Sequence, residues 1–440
     1  MPQFLSVECD PVDQPAAADP VERQSWCMLA IRVAGRTVTR VWDRALQQER
    51  SYLYVPAFPI AEWIVLNWWV LLNEACPTPE VPGSAGFHMP WIKRHCLRCA
   101  DSALLLPALY FFNDGRGIGV EWQADLRDTL PHLPGEFVDG NRDHLESIAT
   151  ENGLAEFVNG TLARVKGLPD ERVQATLATW QAIRNADADE TKFCVAAGRL
   201  GIDPYDPGQM PENLAGFLET GLGDPGQPLV RDLTEAAEPG SIADQWHWVQ
   251  DASNAYHLGP SPALSSFSQS AATSSPFRYA YQLAGQVREA AGLTPVQPVP
   301  SVGDVVQRVA DAVLETPGDN HIPGHNLHAI VGWKANRHIV IAGPRRQRPD
   351  NQRFHDARGL YHGLFACHSS QRLVTRAFTW DQQASRAFAA ELLVPRETLM
   401  ARTRERADHA AVEALAREFV VSTRVIENQL ENAGVAIVDE

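Results

Sequence analysis

The chain has 440 residues, 45% of them apolar, and a formal charge of −16. This length suits two or three domains, and the apolar content is that of a protein with real cores. No run of about 18 apolar residues occurs, so no membrane-spanning helix is expected; the richest stretch, from Ile60 to Leu72, is too short and carries Glu62 and Asn67.

The charge is uneven. Residues 276–440 hold 19 Arg plus Lys against 18 Asp plus Glu, whereas the first 275 hold 19 against 36. An acidic front half argues against bulk electrostatic binding of nucleic acid there. The first residues lack a basic region followed by an apolar one, so no secretory signal is read and a cytoplasmic protein is expected. The seven cysteines, an odd count without an export signal, are expected as reduced thiols.

Residues 1–25 are rich in Pro, Ala and Asp and read as a loosely held arm. From Trp26 to Trp42 the pattern is a hairpin: Cys27, Leu29, Ile31 and Val33 alternate, Ala34-Gly35-Arg36 turns, and Val38 to Trp42 returns. Tyr52 to Val55 reads as a strand, and Pro59 opens a helix over 60–75. Its Trp63, Trp68 and Trp69 serve either as core or as a ligand platform, and their large area favours core. Trp91 to Ala103 reads as a helix. Within it Cys96-Leu97-Arg98-Cys99 is a lone CxxC beside His95, without the second pair that a zinc finger needs. Leu106–Phe112 and Ile118–Trp122 flank Asn113-Asp114-Gly115, a hairpin turn. Residues 1–137 are thus expected to form an α+β domain.

From Asp143 the periodicity is helical, with segments at 143–165, 170–185, 189–200, 211–221, 226–237 and 241–257, so residues 138–257 read as a helical domain. Gly201 is a helix stop. Phe193 to Gly201 has some helix-turn-helix character, but Asp187, Asp189 and Glu190 beside it favour a plain bundle. Residues 258–275 are rich in Ser, Pro and Ala without charge and read as a linker. Beyond it come an amphipathic helix from Pro276 to Ala291, a helix from Ser301 or Val302 to Leu314, and a strand pair at Asn326–Trp333 and His338–Ala342. Pro344-Arg345-Arg346-Gln347-Arg348-Pro349 follows as a basic turn, either a solvated loop or an anion contact.

Two further helical runs occupy residues 353–395. Arg353 to Phe365 places Phe354, Ala357, Leu360 or Tyr361, and Leu364 on one face; Asp381 to Leu393 steps the same way and stops at Pro395, which cannot extend a helix. Arg353-Phe354 with Ala357, and the run Ala384-Ser385-Arg386-Ala387-Phe388-Ala389-Ala390-Glu391-Leu392-Leu393-Val394-Pro395, resemble the motif helices of the ImmA/IrrE family of zinc metallopeptidase-like proteins. That family carries R-F-x-x-A-H-E-x-x-H and A-N-x-F-A-A-E-L-L-M-P. The resemblance covers roughly residues 276–440 and implies a metallopeptidase-like domain, often ending in a helix-turn-helix-like unit.

The metal-binding core departs from that pattern. In H-E-x-x-H the two histidines share a helix face and bind one zinc ion, while the glutamate polarises the attacking water. Here the stretch reads Arg358-Gly359-Leu360-Tyr361-His362. Arg358 has no lone pair to offer a cation, and Gly359 removes the general base. His362 remains, and Asp381 falls about where the resemblance places the third, acidic ligand. One His and one Asp are too few for a tight zinc site, so a pseudo-peptidase scaffold without cofactor is expected.

The alternative retains zinc, with ligands drawn from His355, His362, His368 and Asp381. His355 and His362 lie two helical turns apart, about 10 Å along the axis, and would need a loop ligand between them. The plainer account makes these ordinary polar histidines. Arg358, His362, Asp381 and Arg386 are also candidates to line the emptied cleft and meet an anionic ligand.

Residues 411–432 have helix-turn-helix cadence, with Ser422 as N-cap of the second helix. Its outward positions include Thr423, Arg424, Glu427, Asn428 and Glu431. Arg424 and Asn428 are the nucleic-acid candidates, and the two carboxylates oppose a phosphate backbone, which favours packing or a homodimer contact.

Three functions remain. The first is a non-catalytic ImmA/IrrE-like regulatory protein that binds a protein or ligand in stress response, prophage control or phage defence. The second is a divergent metallopeptidase cleaving a repressor-like partner. The third is a DNA-binding transcriptional regulator using residues 411–432.

Overall fold

The computed structural model describes residues 4–13, 17–78, 88–125, 134–261, 275–294, 296–318, 321–335, 337–368, 370–403 and 406–438. The chain is of the α+β class, and it divides into two compact units, Met1–Thr220 and Gly221–Glu440. Among the described residues no helix is long and apolar enough to cross a membrane.

The first unit is built on small antiparallel sheets. Strand β1 (Leu5–Pro11) pairs along its whole length with β2 (Trp26–Val33), from Leu5 opposite Val33 to Pro11 opposite Cys27. The expected loose arm therefore contains this strand and a short helix, Pro20–Ser25: Leu5, Val7 and Cys9 alternate toward the core and pair with an equally alternating partner. The Ala34–Gly35 turn uses positive φ at both residues, as a tight hairpin requires. Strand β3 (Leu53–Pro56) pairs with the other edge of β2.

Helix α1 (Phe58–Asn73) shares the core with this sheet, and its Trp63, Trp68 and Trp69 are buried there. Trp68 meets Trp180 edge-on with ring centroids 4.9 Å apart. The helix expected over 91–103 is shorter, Met89–His95, because Cys96 forms a bridge with Tyr110. Strands β4 (Ala108–Asn113), β5 (Ile118–Gln123) and β6 (Asn141–Leu145) make a second sheet. Residues 143–145, read as helix, are thus strand.

Helices α2 (Ser147–Val165), α3 (Glu171–Asn185), α4 (Ala188–Arg199) and α5 (Glu212–Thr220) complete the unit. Leu154, Phe157, Val158, Trp180 and Cys194 share one cluster with Leu29 and Trp63. A Cβ on Gly198 would meet the Trp69 carbonyl, so a glycine lets α4 approach α1 closely. The units therefore divide the expected helical stretch 138–257: helices up to Thr220 belong with the first unit, the later ones with the second. Periodicity shows that a helix has an apolar face but not which surface it covers.

The second unit begins with α6 (Pro228–Thr234) and α7 (Ile242–Ala255). Of the expected linker, residues 262–274 lie outside the described residues; Gly259 makes a bridge to Trp333, and the Ser261 amide donates to the Cys367 carbonyl at 2.6 Å. Helix α8 (Pro276–Ala290) follows, then α9 (Val302–Ala310), which stops at Asp311 in the left-handed region. The residues read as the end of that helix are strand β7 (Val313–Glu315), parallel to His338–Ala342.

The main sheet runs β7–β9–β8–β10, with β8 at Leu327–Lys334, β9 at His338–Ala342 and β10 at Arg372–Thr375. Helix α10 (Pro349–Tyr361) and helix α11 (Trp380–Leu393) pack together, with α8 against α11. Helix α12 (Arg396–Thr403) leads to the strand β11 (Arg406–Asp408), the helices α13 (His409–Phe419) and α14 (Thr423–Asn432), and the strand β12 (Ala436–Val438).

Candidate functional site

Helix α10 does not end cleanly. Residues His362–Ala366 widen into a π-turn, closed by the Cys367 amide on the His362 carbonyl at 3.0 Å. Trp333 of β8 donates its indole N–H to the Gly363 carbonyl at 2.8 Å, satisfying a group the widening exposes. Such turns are frequent at functional sites, and this one begins at His362.

His362 is fully buried, and neither ring nitrogen has a hydrogen-bond partner among the described residues. Burial first, then the guanidinium of Arg372, holds its pKa well below the usual histidine value, so the ring is neutral. Asp381, in the first turn of α11, is not turned toward it as a free ligand. One carboxylate oxygen accepts from Arg372 at 2.9 Å and the other from the Tyr361 hydroxyl at 3.3 Å.

Arg372 is the centre of this arrangement. Its Nε and Nη2 donate to both oxygens of Asp232 in α6, at 2.7 and 2.8 Å, and Asp232 also accepts the Leu373 amide at 2.9 Å. Arg372 and Asp232 have side chains only 5% and 2% exposed. The two carboxylates raise the Arg372 pKa well above its ordinary value against the opposing cost of burial. A buried pair of this kind is costly to break from one side.

Arg358, one turn before His362, has a different set of bonds. It is buried, and it donates to Ser385 Oγ at 3.2 Å, to the Thr375 carbonyl at 2.9 Å and to Gln382 Oε1 at 2.9 Å. Gln382 in turn pairs with β10 as a further strand would, donating to the Leu373 carbonyl at 2.6 Å and accepting the Thr375 amide at 3.0 Å. Arg386 is held similarly, on the Ala377 and Arg376 carbonyls at 2.9 and 2.8 Å, with its guanidinium over the Phe378 ring. Arg358 sits in the last turn of α10, where the helix dipole favours positive charge.

The expectation of an emptied cleft lined by Arg358, His362, Asp381 and Arg386 is therefore corrected. Arg358 and His362 are inside the core, and both arginines tie the 375–377 backbone to the helices. Gly359 faces β9: a Cβ there would run into the Ile341 side chain, itself in the core, so a glutamate at that place has no room.

The alternative zinc ligands are not brought together either. His355 stands against His328, ring centroids 6.4 Å apart; His368 is exposed; Asp381 is held by Arg372. Among the described residues no three His, Cys, Asp or Glu side chains are grouped to hold a metal. One buried imidazole is a single ligand, and this donor set does not fit zinc.

In the C-terminal helix pair, Arg424 and Asn428 are exposed on α14 while Val425, Ile426, Gln429 and Leu430 are buried. Ser422 stands at the N-cap but makes no capping bond with its side chain. Glu431 shares the exposed face. In the first unit, Cys96 is buried and Cys99 exposed, and His95 is fixed between the Phe111 carbonyl at 2.6 Å and Glu74 at 2.8 Å.

Sequence reasoning missed Arg372, Asp232 and Gln382. Asp232 lies 140 residues before its partner, and no local pattern links them. No protein-family model matches the chain, and no curated protein matches it at a significant level.

Proposed function

We propose that this chain is a non-catalytic regulatory or defence-related protein of ImmA/IrrE type, cytoplasmic, acting by binding another protein or a ligand. One observation carries the reading: the carboxylate that the resemblance assigns to zinc, Asp381, is engaged by Arg372, whose guanidinium is already held by Asp232. A buried guanidinium supplies the positive charge that a metal would supply in a peptidase, but it offers no open coordination position and activates no water. Arg358 and Gly359 agree with this, since neither ligates nor acts as a base.

Metal analysis of the purified full chain tests the proposal. The expected result is no stoichiometric zinc and a melting temperature unchanged by chelator. One zinc per chain, removed by chelator together with a His362-dependent cleavage of a repressor-like protein, would instead establish the peptidase reading.

The exposure of Arg424 and Asn428 on α14 supports a second reading, a DNA-binding regulator. It requires salt-dependent affinity for duplex DNA that Arg424→Glu weakens. No retardation of duplex DNA at low salt removes it.

A further inference from the structure

The basic turn at 344–349 finds its setting in the second unit. A pocket of about 670 Å³ is lined by Arg345 and Arg346 from this turn, by Arg376 beyond β10, by His321 and His325 on the approach to β8, and by His328 within it. No carboxylate appears among its described lining residues. Arg345, Arg346 and Arg376 form no ion pair within 4.0 Å among the described residues, although the unit contains more acidic than basic groups. Asp350, the acid closest in sequence to the turn, is taken by Arg348 at 2.6 Å. Asp356, whose carboxyl feels the charge of Arg345, is turned to Gln352 at 2.7 Å.

The lining is held in place before any ligand arrives. Arg376 donates its amide to the Asn326 carbonyl at 2.8 Å, joining two of the three segments. Arg346 donates its amide to Gln352 Oε1 at 2.7 Å, fixing the turn to α10. Gln245 of α7 donates to the Pro323 carbonyl at 2.9 Å, and Gly324 has φ +77° with no room for a Cβ against that same Gln245 side chain. The stem of Arg345 lies on Gly318, 3.3 Å from where a Cβ would be. Behind His328 stands the buried ring of His355.

Guanidinium groups brought together without carboxylates repel one another, and burial together with Arg376 pushes the Arg346 pKa down. Such an arrangement is relieved by an anion. Planar forks suit the oxygens of phosphate, and imidazole rings add N–H donors. The volume lies within the range of small-molecule sites and is large for a single inorganic ion. The three histidines are not grouped to hold a metal.

We propose that the pocket between His321–His328, the Arg345–Arg346 turn and Arg376 binds a compact phosphorylated small molecule, a polyphosphate or phosphate ester, through its three arginines. This site shares no lining residue with the His362–Asp381–Arg372 cluster and does not depend on how that cluster is read.

The test is isothermal titration calorimetry of pyrophosphate into the full chain, in a chloride buffer free of phosphate. Arg345 and Arg376 are exposed, so Arg345→Gln/Arg376→Gln leaves the core untouched; equal melting temperatures check this. Expected are saturable binding to the wild type, at least a tenfold weakening in the double variant, a similar loss in Arg346→Gln, and no change in Arg424→Gln. Citrate, of similar charge but without phosphate geometry, binds more weakly. Absence of saturable binding overturns the proposal, as does binding that the double variant retains in full. Citrate binding as tightly as pyrophosphate overturns the phosphate assignment. Duplex DNA displacing pyrophosphate from the wild type with higher affinity overturns the small-molecule assignment. None of these results bears on zinc content, which is measured separately.

Discussion

Asp232 and Arg372 meet through two parallel hydrogen bonds of 2.7 and 2.8 Å, and they join helix α6 to strand β10 across 140 residues of chain. The pair makes a helix outside the motif region part of the unit that contains it.

Asp232→Ala should therefore be among the most destabilising changes in the second unit. It leaves a buried guanidinium with one remaining carboxylate and orphans the Leu373 amide, and breaking such a pair from one side costs about 3–5 kcal/mol. Asp381→Asn should cost less, because Arg372 keeps its two-pronged partner. Denaturant unfolding of the full chain reads both. Equal costs for the two variants would contradict the geometry.

A glutamate placed at position 359 should harm the fold. At Gly359 a side chain must push Ile341 out of the core, and overpacking of this kind costs about 1–3 kcal/mol. Gly359→Ala should already lower the melting temperature, against the usual gain of alanine in a helix. A stabilised Gly359→Ala variant would show that α10 can move away from β9.

Acid should weaken the second unit early. Burial lowers the pKa of His328 to about 2 and of His355 to about 3, with Arg358 and Arg346 respectively adding to it, and His362 is lowered for the same first reason. A depressed folded pKa stabilises the fold above the unfolded value, about 6.5, and that contribution is lost as pH falls toward the folded value. Melting temperature should thus decline from about pH 6.5 to pH 4.5, before most carboxylates titrate. His355→Gln should flatten that limb. A flat wild-type curve over this window would mean the rings take up protons without unfolding.

Thiol chemistry should be selective. The Cys99 pKa is lowered to about 7, chiefly by its hydrogen bond with Cys96, and the residue is exposed. Burial pushes Cys76 up to about 11 and Cys194 and Cys367 up to about 12. Iodoacetamide at neutral pH, followed by peptide mass spectrometry, should label Cys99 first. First labelling at Cys76, Cys194 or Cys367 would place the opening of the fold elsewhere.

Much of the element order was legible because local patterns carry it. The alternation Cys27–Leu29–Ile31–Val33, the Asn113–Gly115 turn and the Ala-rich run of α11 each state their conformation within a few residues. What failed was relational. The arm at Leu5–Pro11 is a strand only because β2 offers an edge, and Val313–Glu315 leaves the helical pattern only because β9 offers another. The candidate site follows the same division. Arg358, Gly359 and His362 were readable as a departure from a motif, but the bonds of Arg358 to Thr375, Gln382 and Ser385 depend on how α10, β10 and α11 stack. The basic turn was visible, whereas the histidines facing it are separated from it in sequence and carry no pattern of their own.

The short strands that bracket the last two helices, Arg406–Asp408 and Ala436–Val438, run side by side and in the same direction. The helical pair is thereby zipped at its base like a purse. A protease nick at the exposed Val420 would leave both fragments riding together, because Phe419, Ile426 and Leu430 also sit in the unit's core and Gln429 donates to the Val394 carbonyl at 3.0 Å.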